Sequence, residues 1–155
     1  MADNSSVTSG IQFESFKMDK IDFSVTPELG VLASVNHSDC DISFSIGFRN
    51  AFKYNIENKV TYVTGLKIDV KIENKEKKEL AKGTFIINGL FTSIGTLEKS
   101  VEEKIIKYQC PTILFPYIRA SISFTLSSAG FSTLVMPLVN VNSAAKEANI
   151  EIIEQ

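Results

Sequence analysis

The chain has 155 residues, a formal net charge of −2 and 44% hydrophobic residues, with charged residues at 22%. That length suits one domain burying roughly two-thirds of its unfolded surface. The slightly acidic balance, with no Lys/Arg cluster among aromatics, offers phosphates no long-range attraction and argues against nucleic-acid binding.

Residues 1–10, MADNSSVTSG, are polar and lack the basic and apolar regions of a secretory signal. They read as a flexible N-terminus to a single domain over 11–155. A cytoplasmic setting is expected, with Cys40 and Cys110 as separate reduced thiols. From Ile11 hydrophobicity alternates, but its phase slips twice: Ile11 and Phe13, then Phe16 and Met18, then Ile21, Phe23 and Val25. One-residue slips in a period-two pattern predict β-bulges, since each would otherwise flip the apolar face. Pro27 and Gly30 close this strand. His37, near Asp39, Cys40 and Asp41, reads as a loop histidine rather than a metal ligand.

Ile42, Phe44, Ile46 and Phe48 alternate with Ser43, Ser45 and Gly47, the pattern of a half-buried strand. RNAFKYNIENK is looser and leads to a third strand through Val60, Tyr62, Leu66, Ile68, Val70 and Ile72. NKEKKE, residues 74–79, reads as a charged hairpin loop, and Gly83 to Leu90 returns as the fourth strand.

Helical character starts at Thr96, an expected N-cap with Glu98 in the first turn. Leu97, Val101, Ile105 and Tyr108 form one stripe facing a sheet. Pro111 suits the first turn of a new helical segment after Cys110, and Pro116 predicts a bend. Gly130 is placed to end the helix in a left-handed conformation. TLVMPLV is then extended, with Pro137 barring a central strand position. Asn142 or Ser143 would cap a short last helix through AAKEANIEIIEQ. The expected class is α+β: a four-stranded antiparallel sheet, a long kinked helix and a short C-terminal helix.

Between Lys107 and Lys146 the only formal charge is Arg119. A membrane span over Ile113–Val139 would contain Arg119, Pro116 and five Ser/Thr side chains before Gly130. A mid-helix arginine alone costs about 2.5–3.5 kcal/mol there, so a span is not expected. On the helix, Leu114, Tyr117, Ile118 and Ile122 form one stripe. Phe115, Ile122, Leu126 and Ala129 form an overlapping one, widened by Ile113 and Phe124. A helix with no charged face must be buried on more than one side, and a sheet covers only one. A second copy of the chain is the expected cover. The interface candidates are Leu114, Ile118, Ile122, Phe124 and Leu126.

CPTILFPYIRASI (110–122), followed by Gly130 and LVMPLVN (134–140), resembles the CPxxLFPYxR helix and LxLxPVNF-like segment of the SecB family of protein-export chaperones. GTFIINGL (83–90) resembles the family's GxFxIxGx strand end, and DKIDFSVTP (19–27) is similar to its N-terminal strand. The resemblance implies a homotetramer, a dimer of dimers with the long helices between dimers. It also implies an ATP-independent holdase for unfolded polypeptides that delivers preproteins to the ATPase SecA. Client-groove candidates are Phe48, Phe52, Tyr54, Phe85, Leu114 and Phe115, each of which also reads as core or subunit contact. Arg119 reads as a structural partner for a carboxylate or helix carbonyl.

The start of the last helix departs from the family: its N-F-D-A-L-F is here Asn140-Val141-Asn142-Ser143-Ala144-Ala145. No acidic sheet face for SecA is evident. A chaperone dedicated to the antitoxin of a toxin–antitoxin system is therefore the alternative. From another class, the alternative is a non-catalytic oligomeric scaffold or ligand-binding module. With no G-x-S-x-G, P-loop, metal-ligand cluster or Cys–His pairing, no catalytic residue, metal or cofactor is expected.

Overall fold

The computed structural model describes residues 10–27, 40–131 and 134–155. Gly30, His37 and Asp39 lie outside the described residues, as do 1–9, most of the expected flexible N-terminus. The strands are β1 (Ile11–Val25), β2 (Cys40–Phe48), β3 (Ala51–Ile56), β4 (Lys59–Asn74), β5 (Glu79–Ser93) and β6 (Ile152–Glu154). The helices are α1 (Lys99–Lys104), α2 (Cys110–Ser128) and α3 (Val141–Lys146), with a π-helical turn at Ile105–Gln109 joining α1 to α2. The sheet runs β1-β5-β4-β3-β6, with β2 also on β4. All pairs are antiparallel except β3–β6.

β1 shifts register against β5 between Phe13 and Ser15 and again between Met18 and Lys20. These are the two bulges that the phase slips predict. The looser segment after Phe48 is a strand rather than a connection. Phe48 pairs with Leu66 and Phe52 with Val63, so four steps on one side meet three on the other. β2 and β3 are thus one interrupted strand along β4, which keeps the expected four-stranded frame. Glu57 and Asn58, both at positive φ, close the β3–β4 hairpin in the left-handed geometry that suits strand twist. In the NKEKKE loop, Asn74 Oδ1 accepts from the amides of Glu76 and Lys78, which fixes the turn.

One face of the sheet carries the core: Tyr62, Leu66, Ile68, Ile72, Phe85, Ile87 and Phe91 are all buried. Leu114, Ile118, Ile122 and Leu126 of α2, four residues apart, lie over it and are fully buried. Gly89 permits this approach, because a Cβ there would meet Leu114 Cδ2 at 2.6 Å.

The helical region differs from its sequence reading in three places. It starts at Lys99, with Glu98 rather than Thr96 at the cap position and no side-chain cap bond. Its buried residues are Glu102, Ile105 and Ile106, while Val101 is exposed. The π turn explains part of this shift. The Cys110 amide donates to Ile105 O, five residues back, and the next residue, Pro111, has no amide to give. The last helix is capped by Asn140, whose side chain accepts from the Ser143 amide, and it ends at Lys146. The remaining chain extends and pairs as β6 instead of continuing the helix. Gly130 ends α2 as expected, at φ 92°. Phe131 N–H bonds to Leu126 O and Gly130 N–H to Ser127 O, a Schellman arrangement with Phe131 buried.

Candidate functional site

Two sides of α2 have different fates. Of the five expected interface residues, Leu114, Ile118, Ile122 and Leu126 face the sheet and are fully buried within the chain. They are core, because four-residue spacing places them on a single stripe. Only Phe124, 75% exposed, points outward. Around it the outward face holds Thr112, Pro116, Tyr117, Ala120, Ser127 and Ser128, with no formal charge. Val135 and Leu138 of the following extended segment are also exposed, at 59% and 81%. Arg119 ties that segment to the helix by donating from Nε to Met136 O at 2.9 Å. Its expected carbonyl partner thus belongs to the extended segment, not to a helix.

An aromatic group at β1 joins this surface. Phe13 and Phe16 would face opposite ways on a regular strand, but the bulge between them puts both beside Tyr117, at ring separations of 5.5 and 4.5 Å. Phe13 also contacts Phe91. The phase slip in the sequence was the available signal for this group.

The groove candidates divide likewise. Phe85, Leu114 and Phe115 are buried in the core and present almost no surface to a partner. Phe48, Phe52 and Tyr54 are half-buried. Ile42, Phe44 and Ile46 continue the row from Phe48 along β2, each packed against the core and still partly open. Alternation made this row legible, although only Phe48 of it counted among the groove candidates.

Beyond β3 lies a cleft of about 830 Å³ between α1, the π turn and the segment leading to β6. Lys53 and Glu102 in its wall form a polar triad with Tyr62, which is buried behind them. Lys53 Nζ lies 2.7 Å from Glu102, and Tyr62 donates its hydroxyl to the same carboxylate at 2.5 Å. Burial works to raise the Glu102 pKa, but the bonds from Lys53 and Tyr62 outweigh it and hold the carboxyl below its ordinary value. The Glu102 bond raises Lys53 against a smaller effect of burial, while burial first and Glu102 second raise Tyr62. Sequence reading missed this triad because its members lie on three separate elements. Cys110 is a buried thiol pushed up to about 12, which makes it inert rather than nucleophilic. Among the described residues no helix is long and apolar enough to cross a membrane, and no group of His, Cys, Asp and Glu could hold a metal ion.

The described residues form a largely antiparallel sheet backed by one long helix whose far side carries no formal charge. The family model for preprotein translocase subunit SecB matches residues 34–148. The chain is 30% identical over 122 residues to the protein-export protein SecB of Cellvibrio japonicus, covering 70% of this chain and 72% of that protein. To SecB of Magnetococcus marinus it is 27% identical over 104 residues, 63% of this chain and 66% of that relative. An uncharacterized protein of Methanocaldococcus jannaschii is 26% identical over 148 residues, 94% of this chain and 87% of that one. Among solved structures, the SecB-like chaperone of Mycobacterium tuberculosis, in complex with a ChAD peptide from the HigA1 antitoxin, has the same fold. It aligns with a TM-score of 0.59 and 16% identity over 84% of this chain and 91% of that one. The chain belongs to the SecB family, whose members are chaperones rather than enzymes.

Proposed function

We propose that the protein is an ATP-independent cytoplasmic holdase that assembles as a dimer of dimers and keeps unfolded preproteins competent for delivery to SecA. The observation that carries this reading is the outward face of α2. It is uncharged along its length, with Phe124 75% exposed, a kind of surface that stable proteins cover with another chain. The half-buried row Ile42, Phe44, Ile46 and Phe48 and the exposed Val135 and Leu138 supply further apolar area for an unfolded client. Such area is worth about 25 cal/mol per Å² removed from water, and several weak contacts along one long client add to tight holding.

SecA docking rests on family membership alone. The sheet face away from α2 pairs Lys67 with Asp69 and Lys71 with Glu73, so it is mixed in charge rather than acidic. The test is light scattering from an aggregating, slowly folding protein with the full chain added at equal concentration, followed by pull-down with purified SecA. Suppressed scattering with SecA capture supports both parts. Suppression without SecA capture supports the holdase and favours a dedicated client, such as an antitoxin. Unchanged scattering contradicts the reading.

A further inference from the structure

β6 occupies the outer edge of β3 as a parallel strand of three residues. Besides the ladder bonds of this short pairing, it is tied at its ends by Ala51 N–H to Glu151 O at 2.8 Å, Gln155 N–H to Lys53 O at 2.9 Å, and Glu151 N–H to Asn50 Oδ1 at 3.0 Å. Ile150 and Ile152, two residues apart, are half-buried against the core and line the cleft with Leu97 and Ile106. Glu154, 79% exposed, lies 3.6 Å from Lys53, whose ammonium is anchored by Glu102.

The seat beneath β6 does not depend on β6. β3 is already paired with β4 through Phe52–Val63, Tyr54–Thr61 and Ile56–Lys59. Removing β6 leaves an ordered strand edge with bonding groups at Ala51 and Lys53, an apolar floor under alternate positions, and a fixed cation. That is a site for a strand. Its present occupant shows the chemistry it takes: extended backbone, branched aliphatic side chains two apart, then a carboxylate. A three-residue parallel pairing is also among the weakest ways to fill an edge, so the segment can open at low cost.

We propose that β6 is an intramolecular stand-in for client. An extended polypeptide segment with branched aliphatic residues at alternate positions and an acidic residue beyond them displaces β6 and pairs with β3. This rests on the chaperone reading and specifies how one part of the client is held. The apparent client affinity is then reduced by the fraction of time the seat is filled by β6, and loosening β6 raises affinity.

The experiment uses the full chain and reduced, carboxymethylated α-lactalbumin, a permanently unfolded probe. Hydrogen exchange should show that probe binding removes protection at Glu151 and Gln155, whose amides donate to Asn50 and Lys53, while Ala51 stays protected. In a second arm, the double variant Ile150→Ser, Ile152→Ser should bind the probe about 3- to 10-fold more tightly than the natural chain. Retained protection at Glu151 and Gln155 with probe bound, or unchanged or weaker binding by the variant, overturns the displacement while leaving the chaperone reading intact. Failure of both chains to bind the probe overturns the chaperone reading and the displacement with it.

Discussion

Glu102 shows how a side chain's setting outweighs its position in a sequence pattern. It lies between the residues expected to face the sheet and is buried because Lys53 and Tyr62 meet its carboxylate. Its folded pKa is below the ordinary 4.5, so the triad stabilises the fold above that pH and loses this contribution as pH falls through the depressed value. Lys53 and Tyr62 are both raised, from 10.5 and 10.0, so their contribution is complete below about pH 10 and fades as pH climbs through the raised values. Urea unfolding at pH 6 and pH 3.5 should therefore show a large loss for the natural chain and a smaller one for Glu102→Gln. Equal losses would show that the triad does not govern acid stability. Lys53→Met, which removes a charge partner from a buried carboxylate, should cost about 3–5 kcal/mol at pH 7 by the same method.

At the scale of elements, legibility followed local pattern. The β1 bulges were readable because only an extra residue in the strand lets a slipped period-two alternation keep one apolar face, and the end of α2 because Gly130 admits positive φ. β3 was hidden because its hairpin turn uses Glu57 and Asn58 with no glycine to announce it. The π turn was hidden because a stripe counted at 3.6 residues cannot register one extra residue. β6 was hidden because the isoleucines of NIEIIEQ serve a helix face as readily as a strand, and only the β3 edge decides between them.

The contact between α2 and β5 gives two predictions at this scale. Gly89→Ala would push a methyl into Leu114 and Phe91, lowering stability by about 1–3 kcal/mol in denaturant titration. Leu114→Ala, at a fully buried site, should cost about 2–5 kcal/mol. A near-neutral result for either would mean that α2 does not lie on the sheet as described.

For the whole molecule, the candidate site was legible as a property and only partly as residues. A single arginine between Lys107 and Lys146 marked the uncharged stretch that forms the outward face of α2. Which side of α2 the core takes depended on the sheet beneath it, so Leu114, Ile118, Ile122 and Leu126 moved to the core and Phe124 stayed outward. The proposed function depends on that outward side meeting another chain. Native mass spectrometry of the full chain and of Phe124→Asp tests this most directly. The account predicts an assembly of four chains, each of 17.1 kDa, which the variant breaks into smaller species without unfolding. A natural chain that is monomeric at micromolar concentration, or a variant that keeps the full assembly, would contradict it.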